Sequence, residues 1–576
     1  MLVAVFYYPV ATVFVEAAVV DDRLTLAPVV AVLADPFFTG WVAGLITDPV
    51  GFLAALADPG ALWDLLAATA TGRVGIIGFT AYQAALSTVL SVAIGLPAAW
   101  ILARFEFRGR RTLRSLTVLP FVLPSIMVAI GFVAMFGANG PLNRALVALG
   151  LGRVDLLFTL EAILLAHAFY NAPLVARITA AAWEGVDASM VETARSLGAS
   201  PTWAFLHVVA PQLLPAIAAG ATLTFLFTFA SFPIVLALGG FELATVEVFV
   251  FSQVQNLEYT GAAALAAVET LLSLGITFAY IRYERRERGS RGARPQPRRP
   301  LLPAEWTPGA VLTRLAVAGY AAVAVVLFVG PLASMVLASV TGPDGFTLAN
   351  YAFLVERQAT GAAFRVKPLT AIRNSLVFAA GALALAVPMG VTVAVLTGKR
   401  ARGGSLVGAL AMAPFAVSGI VVGLGLLRGL VFGVEVAGWR ITATGALAVV
   451  VAHAVGAYPF VTRTVGPALS GIDRRLVESA RSLGASRARA LVDVELPIAW
   501  PGVVAGAAFV VAISVGEFDA TVILASGTDS YTMPVAVQRY IGRRLGPATA
   551  MGVVLLVVTS LSFLVIERFG GFVREI

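Results

Sequence analysis

In the stretch "SVGEFDATVILASG", Glu517 and Asp519 set two carboxylates two positions apart within an otherwise apolar run. Carboxylates in such surroundings can hold a cation or a proton, and an ionisable residue inside a membrane segment is a functional candidate by default. His167 and His453, two of the three histidines, stand 286 positions apart in the related contexts "AHAFYNAPLVAR" and "AHAVGAYPFVTR". A metal site would need further ligands. Cysteine is absent, and neither a carboxylate cluster nor an HExxH pair adjoins either histidine. Both therefore read as polar packing residues hydrogen-bonded across a helix interface. The same spacing separates "ETARSLGAS", Glu192–Ser200, from "ESARSLGAS", Glu478–Ser486. No nucleophile and base stand together. The single Gly-Lys pair, Gly398-Lys399, precedes Arg400 where a phosphate-binding GxxxxGK[ST] loop has Ser or Thr.

The elements that must position these residues are membrane helices. The chain has 576 residues, 59% of them apolar and only 12% charged. Its apolar runs are long enough to cross a bilayer, where a helix satisfies its own backbone. Spans are expected near 2–20, 75–103, 115–137, 158–181, 212–238 and 260–281, then near 311–338, 372–397, 405–431, 442–465, 500–525 and 546–566. The fold class is all-α integral membrane, with about 12 transmembrane helices in two parallel six-helix repeats. The first helix lacks a basic leader region and reads as retained. The net charge of +8 belongs to loops facing the cytoplasm, not to nucleic-acid binding.

Orientation follows from "RYERRERGSRGARPQPRRP", Arg282–Pro300, which carries eight arginines. With this linker inside, Arg104–Arg114, Lys399–Arg402 and the tail after Arg568 are inside too, and so are both copies of the nonapeptide. The expected organisation is 1–73, an N-terminal helix plus outside segment; 74–281, a first permease-like domain; 282–308, a disordered basic linker; 309–369, a helix and outside loop; 370–568, a second such domain; and 569–576, a cytoplasmic tail. The stretch 21–73 reads either as interfacial helices outside or as a re-entrant element.

The repeat is larger than the nonapeptide. The 286-residue offset also relates Pro173 to Pro459, Arg177 to Arg463, Asp187 to Asp473, Pro211 to Pro497, Pro215 to Pro501 and Phe232 to Phe518. Asp187 can cap a short helix. Met190, Ala194 and Leu197 then share one apolar face, and Gly198 permits the left-handed turn that ends it. Ser200 and Pro201 open the next helix. Asp473, Leu476, Ala480, Leu483, Gly484 and Ser486 repeat the design. Resting on lipid headgroups would not require a fixed Glu and Gly; fitting two equivalent sockets would.

This pattern resembles the EAA loop of permeases in ATP-binding-cassette (ABC) importers: Glu-x-Ala, three residues, Gly, nine residues, then apolar-x-apolar-Pro. Glu192, Ala194, Gly198, Val208, Ala210 and Pro211 carry it in one copy. Glu478, Ala480, Gly484, Val494, Leu496 and Pro497 carry it in the other. Thr193 and Ser479 replace the family's central Ala. The resemblance covers residues 75–281 and 370–566. It implies two coupling helices, each seated in one of two cytoplasmic ATPase subunits. ATP and magnesium would then be held by the partner and not by this chain, and an external binding protein would deliver the cargo. The implied place is the plasma or inner membrane, multi-pass.

The fused arrangement is similar to thiamine and ferric-iron permeases. Three stretches favour the thiamine branch, "EAILLAHAFYNAPLVAR", "FASFPIVLALGG" and "ATVEVFVFSQVQNLEYTGAAALA". Glu517 belongs to a Gly-Glu-Phe pattern similar to one in permeases of very different cargo, so a structural role is preferred for it. Asp519, where that pattern has Gly, reads either as a specificity residue or as an acid near the outer exit of its span. Tyr170, Asn171, Ser231 and Phe232 are further candidates to line the passage. Glu269 and Gln253 are expected near water at span ends. An acidic passage suits a cation and repels an oxyanion. The expected cargo is thiamine or a related organic cation, then ferric iron, then a phosphonate or oxyanion. An ion-coupled secondary carrier would leave the two EAA loops without a role.

Overall fold

The computed structural model describes residues 2–20, 23–51, 54, 60, 74–117, 119–284, 296–302, 307–356, 366–397, 408, 410–436, 438–525, 527 and 529–570. In chain order the main helices of the first half are α1 (Val3–Ala18), α2 (Gly75–Arg104), α3 (Ser125–Phe136), α4 (Leu160–Glu184), α5 (Ala188–Ser196), α6 (Ala210–Phe229), α7 (Pro233–Leu238), α8 (Val246–Gln255) and α9 (Tyr259–Glu284). The second half has α10 (Pro308–Phe328), α11 (Gly330–Ser339), α12 (Pro368–Thr397), α13 (Gly419–Leu426), α14 (Gly445–Ser470), α15 (Arg474–Ser482), α16 (Trp500–Gly516), α17 (Asp519–Leu524), α18 (Met533–Tyr540) and α19 (Leu545–Gly570). Strands among the described residues are two-residue or three-residue pairs.

Nine helices of the described residues are long and apolar enough to cross a bilayer, and a bent pair, Arg487–Ile498 with Trp500–Gly516, makes a tenth. Val3–Ala18 and Gly419–Val431, shorter apolar helices, fall on the first and ninth expected spans. The fifth and eleventh expected spans are not continuous. Each stops, turns and resumes as a short helix: α6 breaks before α7, and α16 breaks before α17. The seventh is interrupted at Val329, between α10 and α11. The halves also differ below the break. Pro201–Phe229 runs on as one span, whereas the matching helix bends by 80° at Ala499.

The two halves exchange their first helices. α1 packs on α9 of its own half and on α13 of the other, while α11 packs on α19 of its own half and on α3 of the other. Glycine makes both crossings possible. A Cβ at Gly425 would lie 2.2 Å from the Pro9 carbonyl oxygen, and one at Gly131 would lie 2.8 Å from that of Pro331. Small residues let membrane helices approach this closely. Thr12 donates to the Gly425 carbonyl at 3.1 Å, and Glu16 pairs with Arg428 at 2.5 Å.

The end of the linker is ordered, contrary to the expectation. Arg299–Pro300 pairs as a parallel strand with Phe105–Glu106. Arg298 reaches Glu184 at 3.1 Å and Glu106 at 3.5 Å. Glu184 also binds Arg110 at 2.6 Å and Arg114 at 3.0 Å. One carboxylate thus gathers three guanidinium groups, which is why a polar, Pro-containing segment stays in place. The contact also sets the linker end, the Arg104–Arg114 loop and α5 at one end of the molecule, as the charge pattern requires. Residues 285–295, Lys399–Arg402 and 571–576 lie outside the described residues.

At the opposite end of α2, part of the 21–73 stretch forms short helices over Ala27–Thr47. Phe37 and Phe38 set their rings against Phe249 of α8 at 5.4 Å. This part is packed protein; most of 52–73 lies outside the described residues.

Glu184→Gln should remove the charge that holds Arg110, Arg114 and Arg298. A hydrogen bond to a charged partner contributes about 2 kcal/mol, so the thermal midpoint in detergent should fall and protease should cut near Pro297 more readily. An unchanged midpoint and cleavage rate would reduce the docked segment to a passive tether.

Candidate functional site

A helix that stops inside the membrane leaves amide groups without partners. The second half meets this need with Glu517. Its carboxylate accepts the Ala520 and Thr521 amides at 2.7 and 3.1 Å and the Thr521 hydroxyl as well. His453 Nε2 stands 3.2 Å from the same carboxylate and 2.8 Å from Thr521 Oγ1, and its Nδ1 meets Ser514 Oγ at 2.7 Å. The result is a closed polar knot joining α14, α16 and α17.

The first half solves the same problem differently. Pro233 opens α7 and has no N–H to satisfy. His167 bridges Ser87 Oγ at 2.8 Å and Ser231 Oγ at 2.9 Å. Both histidines are therefore buried hydrogen-bonded packing residues. Among the described residues no group of three His, Asp or Glu could hold a metal ion.

The two breaks meet on the axis between the halves. Phe232 and Phe518, symmetry mates, stack face to face with centroids 5.5 Å apart and planes 14° apart. Phe251 of α8 leans on Phe232 at 5.2 Å. One turn before Phe251 on the same face of α8 is Glu247, which meets Glu269 of α9 side chain to side chain and has Ser418 beside it. Asp519 lies within electrostatic range of Glu247 and Glu517, and its Cβ is 2.6 Å from where a Cβ on Gly419 would stand. Three acids from both halves so gather behind the aromatic pair.

Of the residues predicted for the passage, the structure brings Phe232, Glu517 and Asp519 together at the breaks, with Ser231 behind them on His167. Tyr170 and Asn171 sit on α4. The Tyr170 hydroxyl donates to the Leu123 carbonyl at 3.2 Å, and the buried Asn171 amide donates to the His167 carbonyl at 2.9 Å. Their polar atoms serve helix packing. Glu269 is not near water: it is 2% exposed, ten residues into α9 and about 15 Å from its start. Glu247 and Phe518 were missed as site residues. Phe518 was marked by its register with Phe232; Glu247 had only its charge within an apolar run as a signal.

The repeated loops form two matching helix–turn–helix units. Asp187 and Asp473 cap α5 and α15, accepting the Ser189 and Arg475 amides at 2.9 Å each. Gly198 and Gly484 take φ of 90° and 92°, the left-handed region in which a side chain is strained. Ser200 and Ser486 cap the next helices. Pro211 and Pro497 stand at the starts of the helices that lead back into the span. Leu197 and Leu483 are 83% and 88% exposed, and Met190 and Leu476 about half. Glu192, Glu478 and both glycines lie on the same exposed units, whereas Ala194 and Ala480 are partly covered.

Two like halves, each with a broken span at the axis and a protruding loop at the basic end, define a membrane permease component. The chain belongs to the family of binding-protein-dependent transport system inner membrane components, which it matches twice, over residues 92–289 and 386–574. It is 28% identical over 558 residues to the thiamine transport system permease protein ThiP of Escherichia coli (strain K12), across 93% of this chain and 98% of that one. A shorter stretch is 34% identical over 206 residues to the molybdenum transport system permease protein ModB of Azotobacter vinelandii, across 35% of this chain and 90% of that protein. Another is 30% identical over 220 residues to the sulfate transport system permease protein CysT of Salmonella typhimurium, across 38% and 78%. The family supplies transport components of ABC importers rather than enzymes, and its members work with an ATPase and a binding protein.

Glu517→Ala should orphan the Ala520 and Thr521 amides within the bilayer and cost about 1–3 kcal/mol, with Glu517→Gln milder because its carbonyl still accepts one of them. Thermal unfolding of the purified variants would check the order. Equal midpoints for wild type and Glu517→Ala would remove the capping role.

Proposed function

We propose that this chain is the transmembrane permease subunit of an importer for thiamine or a related organic cation, working as two permease halves, 74–281 and 370–568. An external binding protein delivers the cargo. Two copies of a cytoplasmic ATPase, which hold ATP and Mg²⁺, seat one each on the units at Glu192–Pro211 and Glu478–Pro497. The observation that carries the cargo reading is the end-to-end alignment with a thiamine permease. The exposed apolar faces of α5 and α15 support the coupling reading, since contiguous exposed apolar surface marks an interaction site.

An oxyanion cargo is the second reading, favoured by the higher identity to the molybdenum permease over one third of the chain. The acids gathered at the axis weigh against it, because a carboxylate there would repel an anion strongly where the dielectric is low, and a protonated acid offers an oxyanion no positive charge. The decisive experiment reconstitutes the chain with its ATPase and binding protein and compares ATP hydrolysis with thiamine, ferric iron, molybdate and a phosphonate. Stimulation by thiamine is expected; a response confined to molybdate or the phosphonate would refute the cation reading.

Coupling has its own test. Gly198→Val with Gly484→Val places a β-branched residue in the left-handed region, at about 1–2 kcal/mol each, and turns α5 and α15 away from their sockets. The double variant should insert normally, bind the ATPase weakly and lose uptake. Full uptake by that variant would sink the coupling assignment.

A further inference from the structure

We propose that Glu247, Glu269 and Asp519 form the transient binding site for the cationic part of the cargo, with Phe232 and Phe518 as the aromatic surface it passes. This rests on the organic-cation reading above and assigns the site that reading lacks.

The first observation is a set of buried carboxyl oxygens without partners. Glu247 is fully buried and Glu269 is 2% exposed, and no hydrogen bond of ordinary geometry reaches any of their four carboxylate oxygens. Their near neighbours are each other and the Ser418 hydroxyl. Among the described residues no Lys, Arg or His forms an ion pair with Glu247, Glu269 or Asp519. A carboxyl group in a membrane interior either stays protonated or ionises against a cation, and among the described residues no cation of this chain is placed to pair with these. Glu517 makes the contrast. Its oxygens are engaged by two amides, a hydroxyl and a histidine. That carboxylate caps a helix, whereas Glu247 and Glu269 cap nothing and have only each other and Ser418 beside them.

The second observation is one-sidedness. If the acids served packing, the matching half would need them too. Its α18, "MPVAVQRY", has no acid, and α7 has Pro233 where α17 has Asp519. The trio is composite, with Glu247 and Glu269 from the first half and Asp519 from the second. It exists only while α8 and α9 lie against α13, on which α17 packs, as they do here. A shift of one half against the other would divide it and release what it held.

The third is its neighbourhood. Glu247 and Phe251 share a face of α8, Phe251 touches Phe232, and Phe232 stacks on Phe518. Asp519 follows Phe518 directly. An aromatic ring system bearing a quaternary nitrogen would find a π face and carboxylates within one site, each of which attracts it. The three acids do not converge as metal ligands, so the arrangement suits diffuse positive charge spread over a ring.

The test uses the assembled complex in nanodiscs, with cargo loaded on the binding protein. Thiamine is compared with 3-deazathiamine, its neutral analogue with carbon in place of the quaternary nitrogen. In Glu247→Gln, Glu269→Gln and Asp519→Asn, half-maximal stimulation of ATP hydrolysis by thiamine should require roughly tenfold more cargo, while the response to the neutral analogue should not weaken. Glu269→Asp, which keeps the charge, should stay within about twofold of wild type and separates a charge effect from a folding defect. If wild type responds to thiamine and all three neutral variants match it, the site is wrong and the transport reading stands. If wild type responds only to molybdate or sulfate, the transport reading and the site fall together.

Discussion

A helix that ends within a bilayer must settle its loose amides without water, and this requirement organises the centre of the molecule. Both halves interrupt the span that follows the protruding loop, and each interruption is held by a buried histidine bridging two hydroxyl side chains. Once α7 and α17 are secured, the residues between the segments are fixed in direction. That is what allows Phe232 and Phe518 to meet on the axis and Asp519 to turn towards Glu247. A continuous helix through either point would carry these side chains round its surface at 100° intervals and would bring no such group together.

The duplication and its caps could be read directly from the residues. A constant offset of 286 positions and local chemistry at Asp187, Gly198 and Ser200 suffice, because capping involves groups two or three residues apart. The broken spans were harder to see. "FLFTFASFPIVLALGG" is apolar on both sides of its break, and hydropathy cannot distinguish one long helix from two short ones. Pro233 was the local sign. Contacts between distant parts left no trace at all. Nothing near Arg298 indicates Glu184, 114 positions earlier, and Glu247 and Glu269 become neighbours only through the turn between α8 and α9.

Likeness between the halves is distributed unevenly. The exposed loops agree in caps, turn and apolar face, down to φ angles within 2° of one another at Gly198 and Gly484. At the axis the halves diverge: Ser231 stands at the position equivalent to Glu517, and Pro233 at the position equivalent to Asp519. A surface that seats two like partners, as proposed for these loops, has to be repeated. A passage for one asymmetric molecule, as proposed for this chain, does not, and the acids at the axis come from both halves without being duplicated.

The exchanged first helices impose an order on biosynthesis. Thr12 finds its acceptor in Gly425, 413 residues further along the chain, which at ribosomal rates is roughly 20–80 s of synthesis. Through that interval α1 already has α9 of its own half to lie on, but half of its socket does not exist. Glu16 has no Arg428 to pair with until the same late moment. The contact is completed only when α13 of the second half reaches α1, so an error in the second half also leaves the first half incomplete.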